Sequence, residues 1–440
     1  MTTKTTLALA ASLLALAVAP AVAAPLNVAA TKKAISAQLD RDYPALDTLY
    51  KDLHAHPELG FQEVETAAKL AGAMKALGFT VTEGVGKTGV VAVLRNGDGP
   101  RILIRTELDA LPMQEKTGLP YASQAQTTWN GEKVYVAHSC GHDIHMAAWI
   151  GTARALLALK SQWKGTLVFV AQPSEETVTG ARAMLDDGFI EKFGKPDYGF
   201  ALHVGPGAAG DIYYKAGVLT STSDALDVTF HGRGGHGSMP SATIDPVMMA
   251  GRFIVDVQSV ISREKDPAQF GVVTIGSVQA GSAGNIIPDR AKLRGTIRTQ
   301  DAGVRDRILA GVERTVKGVA AMADAPPPEF VITPGGKAVV NDVALTERTA
   351  SVFKAAFGAR AIAVTQPGSA SEDYSEFILA GVPSVYFSIG GWDPAVMAKA
   401  KADGKPLPIN HSPFFAPAPE PTIRTGVEAM TLAVMNVMVK

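Results

Sequence analysis

At 440 residues the chain is beyond the size at which one core keeps growing, so two compact units, or one unit inserted into another, are expected. Lys and Arg number 41 against 42 Asp and Glu, a formal charge of -1, which removes the electrostatic case for nucleic acid or an anionic membrane and leaves a small, roughly neutral substrate. The single cysteine excludes an intramolecular disulfide.

The N-terminus opens Met1-Thr-Thr-Lys4, continues as an Ala/Leu-rich run to about Ala19, and ends in Ala21-Val22-Ala23-Ala24-Pro25. Residues 1–24 therefore read as a signal peptide, predicting export to the periplasm or beyond. The apolar run is shorter than the roughly 20 residues of a spanning helix, so no stable membrane association is expected after cleavage. Residues 42–56 and 64–77 carry apolar side chains at helical spacing, whereas Val90–Leu94, Arg101–Arg105 and Thr166–Gln172 are short β-rich runs. His145–Ala158 is rich in strong helix formers and separates two of those strands, as in a sheet with helices on its faces.

From Ser221 the pattern changes. Strand Ala225–His231, helix Asp245–Arg263, strands Phe270–Gln279 and Ala291–Thr299, helix Val304–Met322 and strand Glu329–Thr333 follow one another. That β-α-β-β-α-β order predicts a ferredoxin-like unit over 221–334. It is inserted between two parts of an α/β catalytic domain, 25–220 and 335–440. The second part resumes with strand Val382–Ile389 and a helix from about Pro421.

Three of the nine histidines fall within His138-Ser-Cys140-Gly-His142-Asp143-Ile-His145. Thiolate, imidazole and carboxylate are the ligand types of zinc and its neighbours, although a lone cysteine is also a common small core residue. Glu175 and Glu176 end the apolar strand that precedes them, where open α/β sheets place their ligands. One can bind metal while the other acts as general base; an acidic helix-capping turn is the plain alternative. His203, in an apolar run, and His411, in a polar loop, carry little weight alone.

Together these segments resemble the aminoacylase/carboxypeptidase family of dinuclear metallopeptidases, in its amidohydrolase subfamily of hippurate, N-acyl-amino-acid and auxin-conjugate hydrolases. The resemblance runs from about Tyr43 to the C-terminus and includes His54-Ala-His56-Pro57-Glu58, Leu108-Asp109-Ala110-Leu111-Pro112, Cys140-Gly-His142-Asp143, Gly234-Gly235-His236 and Gly284-Asn285-Ile286-Ile287-Pro288. It implies a zinc-peptidase-like domain with helices on both sides of a mixed sheet, and an inserted lid/dimerisation domain that makes a homodimer an expected partner. It further implies two divalent ions (Zn, Mn or Co). Cys140 bridges them, His142 and His203 complete one coordination sphere, and Glu176 and His411 complete the other.

By the same resemblance Glu175 is the general base and Asp109 orients a ligand imidazole. His236 polarises the amide carbonyl, and Asn285 and Arg298 hold a substrate carboxylate. The implied reaction is hydrolysis of the amide of an N-acyl amino acid or small peptide. A metallo-carboxypeptidase or dipeptidase, a cysteine hydrolase using Cys140 and a non-catalytic binding module are the alternatives. The chain departs from the family at Glu107, where Asp is usual, and around the Glu372-Asp373-Tyr374 motif. His54 and His56 read as structural or as residues that support ligands from behind, His138 and His145 as helix-start residues that do not ligate, and His231 as a strand position only.

Overall fold

The Asn27 side chain accepts from the Ala30 N–H at 3.1 Å and opens a long helix, α1 (Val28–Ala55), in the computed structural model, which describes residues 25–439. The expected signal peptide lies outside the described residues. Among those residues no helix is long and apolar enough to cross a membrane. Helix α1 begins well before the expected residue 42 and continues through Pro44, because Ile35, Leu39, Leu46, Tyr50 and Leu53 form one buried stripe along its length. It is followed by α2 (Val64–Ala76) and three strands, β1 (Thr80–Val85), β2 (Gly89–Asn96) and β3 (Arg101–Glu107).

Next come α3 (His142–Ala158), β4 (Gly165–Gln172), β5 (Tyr198–Ala208) and β6 (Ile212–Tyr214). The following segment contributes β7 (Asp224–His231), α4 (Pro246–Asp256), β8 (Gly271–Ala280), β9 (Arg290–Thr299), α5 (Ala302–Met322) and β10 (Glu329–Pro334). The chain closes with α6 (Val343–Phe357), β11 (Ala361–Ala363), β12 (Ser384–Trp392) and α7 (Pro419–Met438).

The large sheet has the order β1-β2-β4-β3-β5-β12-β6-β11. Its central strands β4, β3, β5 and β12 are parallel, and antiparallel pairs flank them. Strand β4 is buried throughout, as an interior parallel strand should be. Leu167, Phe169 and Ala171 enter a core shared with α1, α2, α3 and α7, whereas Val168 and Val170 point to the opposite core with Met184, Phe189 and Phe377. This is the mixed α/β sheet with helices on both faces.

The second sheet is antiparallel, with the order β8-β9-β7-β10. Together with α4 and α5 it reproduces the expected β-α-β-β-α-β succession. In β7 buried positions alternate with more exposed ones, so one face packs on the helices and builds a separate core around Val228, Phe230, Phe253 and Ile308. The expected helix Asp245–Arg263 is shorter than read. Asp245 is its N-cap and the helix ends at Asp256; a π-helical turn, Val260–Glu264, follows. The Ser259 hydroxyl donates to the Asp256 carbonyl at 2.6 Å, a side-chain bond that competes with continuation of the helix.

Candidate metal centre

The C-terminal ends of the parallel strands converge on one face of the sheet. Asp109 follows β3, Glu175 and Glu176 follow β4, and His203 lies on β5. Cys140 and His142 flank the start of α3. Gly141 between them has φ 93°, and a Cβ there would fall 2.3 Å from Val204 Cγ1. Only glycine accommodates both that backbone and that approach, so it sets the turn that aims thiol and imidazole together.

The imidazoles are held with their lone pairs inward. His142 Nδ1 faces the Asp109 carbonyl oxygen at 2.8 Å, and His203 Nδ1 faces the Val204 carbonyl oxygen at 2.8 Å. A carbonyl only accepts, so each Nδ1 carries a proton. His203, held neutral by burial, keeps a free pair on Nε2. Burial opposes charge on His142, but the carboxylates around it outweigh that and raise it to about 10, so a cation there displaces a proton from Nε2. His203 Nε2 lies 3.3 Å from Cys140 Sγ. His142 Nε2 is 3.8 Å from Glu175 Oε2 and 4.0 Å from Glu176 Oε1.

His411 arrives from a distant loop at φ 65°, its N–H donating to the Ser139 carbonyl at 2.8 Å. Its Nε2 is 3.4 Å from Glu176 Oε2. Next to it, Asn410 Nδ2 donates to the carbonyls of Cys140 and Val204, at 2.9 and 3.0 Å, and ties the loop to both other segments.

Of five donor groups among the described residues that could hold an ion, two share the thiol. Cys140, His142 and His203 bring their donor atoms within 4.8 Å of one another, and so do Cys140, Glu176 and His411. The thiol is common to both. His142 Nε2 and Glu176 Oε1 are buried without a hydrogen-bond partner, as is Asp109 Oδ1. Unpartnered buried polar atoms are costly unless something else satisfies them, and imidazole, carboxylate and thiolate together fit a pair of divalent cations.

The electrostatics agree. Burial, then the Glu176 and Glu175 carboxylates, push the Cys140 thiol up. Burial, then Glu372 and Glu176, push Glu175 well above the carboxylate range, and burial raises Glu176 to about 7. Burial and the neighbouring His145 lower His203 to about 3. A divalent cation reverses this logic for thiol and carboxylates alike.

Asp109 touches two of these residues. Its main-chain carbonyl lies 2.8 Å and its carboxylate Oδ1 3.5 Å from His142 Nδ1, while Oδ2 accepts from the Glu176 N–H at 2.8 Å. A cavity opens over Cys140, Glu175, Glu176, His203 and His411, and Arg298 lines it, half-buried, with Nη1 3.2 Å from Ser371 Oγ. His236 and Asn285 do not line it. Both belong to a small ladder of the second unit, in which His236 pairs with Ile286 and the Gly237 N–H donates to the Asn285 carbonyl at 2.8 Å. His236 is exposed there, its Nδ1 accepting from the Ser238 hydroxyl at 2.7 Å. These two residues are brought to each other but not to the cluster of Cys140, His142, Glu176, His203 and His411.

Behind the ligands lies a network that sequence reasoning missed. Buried Arg105 pairs with Glu107 and with Glu372, the latter at 2.7 Å. Glu107 accepts from His145 Nδ1 at 2.9 Å, and His145 Nε2 accepts from the Val204 N–H at 2.8 Å, next to His203. The Tyr386 hydroxyl donates to Glu372 at 2.7 Å. The departure at Glu107 thus serves an ion pair and fixes His145, whose ring packs edge-on against His203 at 4.5 Å between centroids and whose two nitrogens are both occupied by hydrogen bonds. The available signal was Arg105 itself, since an arginine inside an apolar parallel strand needs a buried partner. His54 is structural as read, its Nδ1 2.6 Å from Asp143 and its Nε2 3.0 Å from Glu115.

Peptidase family M20/M25/M40 matches residues 103–435. The chain belongs to this family. Within the curated proteins, M20 relatives include an N-acetylcysteine deacetylase of Bacillus subtilis, 39% identical over 279 residues, covering 63% of this chain and 70% of that protein. A hippurate hydrolase of Campylobacter jejuni is 38% identical over 331 residues, covering 74% and 82%. Among solved structures, a dinuclear metal-binding peptidase of the M20 family from Bacillus subtilis superposes with a TM-score of 0.72 at 30% identity, over 90% of this chain and 99% of that one. The protein is therefore an M20 hydrolase, and family and neighbour together support two divalent ions.

Proposed function

We propose that the protein hydrolyses the amide of N-acyl amino acids, releasing the free amino acid, with Glu175 as general base. The observation that carries this reading is the pair of ligand triples sharing Cys140, with Glu175 at their edge 3.8 Å from His142 Nε2. Two ions, held by Cys140, His142 and His203 and by Cys140, Glu176 and His411, would supply Lewis acidity and a more acidic water. Zinc, manganese and cobalt all suit these donors.

Glu175 takes a proton from the attacking water and delivers it to the leaving amine. Burial and the neighbouring carboxylates push Glu175 up, and two bound cations would offset that, leaving it free to accept the water's proton. Asp109 holds the Glu176 main chain and, through its own carbonyl, the His142 ring. Residues 221–334 act as a lid whose closure carries His236 to the amide carbonyl and Asn285 towards the substrate carboxylate; Arg298 already faces the cavity. A homodimer through that unit and export directed by residues 1–24 complete the proposal.

A panel of N-acyl amino acids and dipeptides assayed on metal-loaded protein tests it. Hydrolysis of N-acyl amino acids that disappears on chelation and returns with Zn²⁺, Mn²⁺ or Co²⁺ is expected. Activity that survives exhaustive chelation points to a thiol mechanism at Cys140 and overturns the reading.

A further inference from the structure

The sheet register lays a row of side chains leading away from the metal ligands. His203 on β5 pairs with Ser388 on β12, and Ser388 pairs with Tyr213 on β6. Directly paired residues point to the same face, and all three line the cavity of about 1010 Å³. The residues flanking each of them on its own strand are buried, namely Leu202 and Val204, Phe387 and Ile389, Ile212 and Tyr214. Two strand spacings, about 10 Å, separate the His203 backbone from that of Tyr213. Between them stands only the small Ser388.

Tyr213 is held at the far end of this track. Its hydroxyl donates to Asp211 Oδ2 at 3.2 Å, and its phenol lies against the Gly207 backbone, where a Cβ would fall 2.5 to 2.7 Å from ring carbons. Val364, placed by its N–H bond to the Tyr214 carbonyl at 2.9 Å, and Leu219 add apolar surface to the same cavity. The lining also includes the hydroxyls of Thr220, Ser223 and Ser371 and Arg298, the one Lys or Arg among the described lining residues. Arg298 has no acidic partner among the described residues, its hydrogen bond going to the Ser371 hydroxyl.

One cavity therefore offers a cation to one half of a substrate and, to the other, a track that ends on the Tyr213 ring, with Leu219 and Val364 also in the lining. A free carboxylate suits the first and is disfavoured beside Glu175, Glu176 and Glu372. We infer that the acyl half lies along His203, Ser388 and Tyr213, and that this track selects a bulky apolar or aromatic acyl group over acetyl. The inference rests on the reading of the protein as an N-acyl amino acid hydrolase and names the acyl class within it.

The test compares kcat/KM for N-benzoyl and N-acetyl derivatives of one amino acid on the metal-loaded full chain. Wild type is expected to favour benzoyl at least about tenfold. Ser388→Leu, which blocks the track, and Tyr213→Ala, which removes its aromatic end, are each expected to lower the benzoyl-to-acetyl ratio about tenfold. A preference for acetyl in wild type, or a ratio unmoved in both variants while their thermal unfolding matches wild type, overturns the inference. Should both variants fail to fold, a wild-type series of acetyl, butyryl, hexanoyl and octanoyl donors decides it, since rising efficiency supports the track and flat or falling efficiency removes it. Absence of hydrolysis of every N-acyl amino acid instead overturns the underlying reading.

Discussion

His411 Nε2 lies 3.4 Å from Glu176 Oε2, joining a loop just before the C-terminal helix to the end of a central strand. The contact exists because the His411 N–H and the Asn410 side chain are bonded to Ser139, Cys140 and Val204. If this pair forms half of a dinuclear site with Cys140, His411→Ala should lower the bound metal from two equivalents to one. Elemental analysis after equilibration with limiting metal reads this directly. Retention of two equivalents would remove His411 from the ligand set.

Glu175 is within reach of the ligands but belongs to neither triple that shares Cys140. Glu175→Gln should therefore leave two equivalents of metal bound while kcat falls by about 10²–10⁴-fold, the range for loss of a general acid–base group. Parallel loss of metal would reassign Glu175 as a ligand, and unchanged kcat would refute its role as base.

Gly141 combines a left-handed backbone with contact against Val204. Gly141→Ala should cost about 1–3 kcal/mol from backbone strain and overpacking, read as a lowered urea midpoint. Because the same turn aims Cys140 and His142, metal affinity should drop in the folded fraction as well. A variant as stable and as well metallated as wild type would show that the turn does not set the site.

His54 is clamped between Asp143 and Glu115. Burial works against its charge, yet the hydrogen bonds to the two carboxylates prevail and raise it to about 10 from its ordinary 6.5. The contribution of the charged ring is thus complete below pH 6.5 and is lost as pH rises through about 10. His54→Leu leaves two buried carboxylates without their counter-charge and should cost about 3–5 kcal/mol near pH 6.5. In chemical denaturation the gap between variant and wild type should narrow from pH 6.5 towards pH 10. A gap that does not change with pH would mean that packing, not charge, is what His54 contributes.

Much of this was legible along the chain because it depends on neighbours in sequence. The buried run of β4, the β-α-β-β-α-β succession and the density of ligand types between His138 and His145 are local patterns, and the family resemblance added His203 and His411 to them. The start of α1 and the end of α4 were misjudged, because Pro44 sits on a helix whose buried stripe overrides it and Ser259 draws on a helix carbonyl. The tertiary structure alone decided which partners meet. Arg105 finds Glu372, Asp109 meets both His142 and the Glu176 main chain, His236 stays outside the cavity, and Tyr213 falls in register with His203 through Ser388. The physical reason is that composition and periodicity specify which face of a strand or helix is buried, whereas strand register and loop docking arise from long-range pairing that no local pattern records.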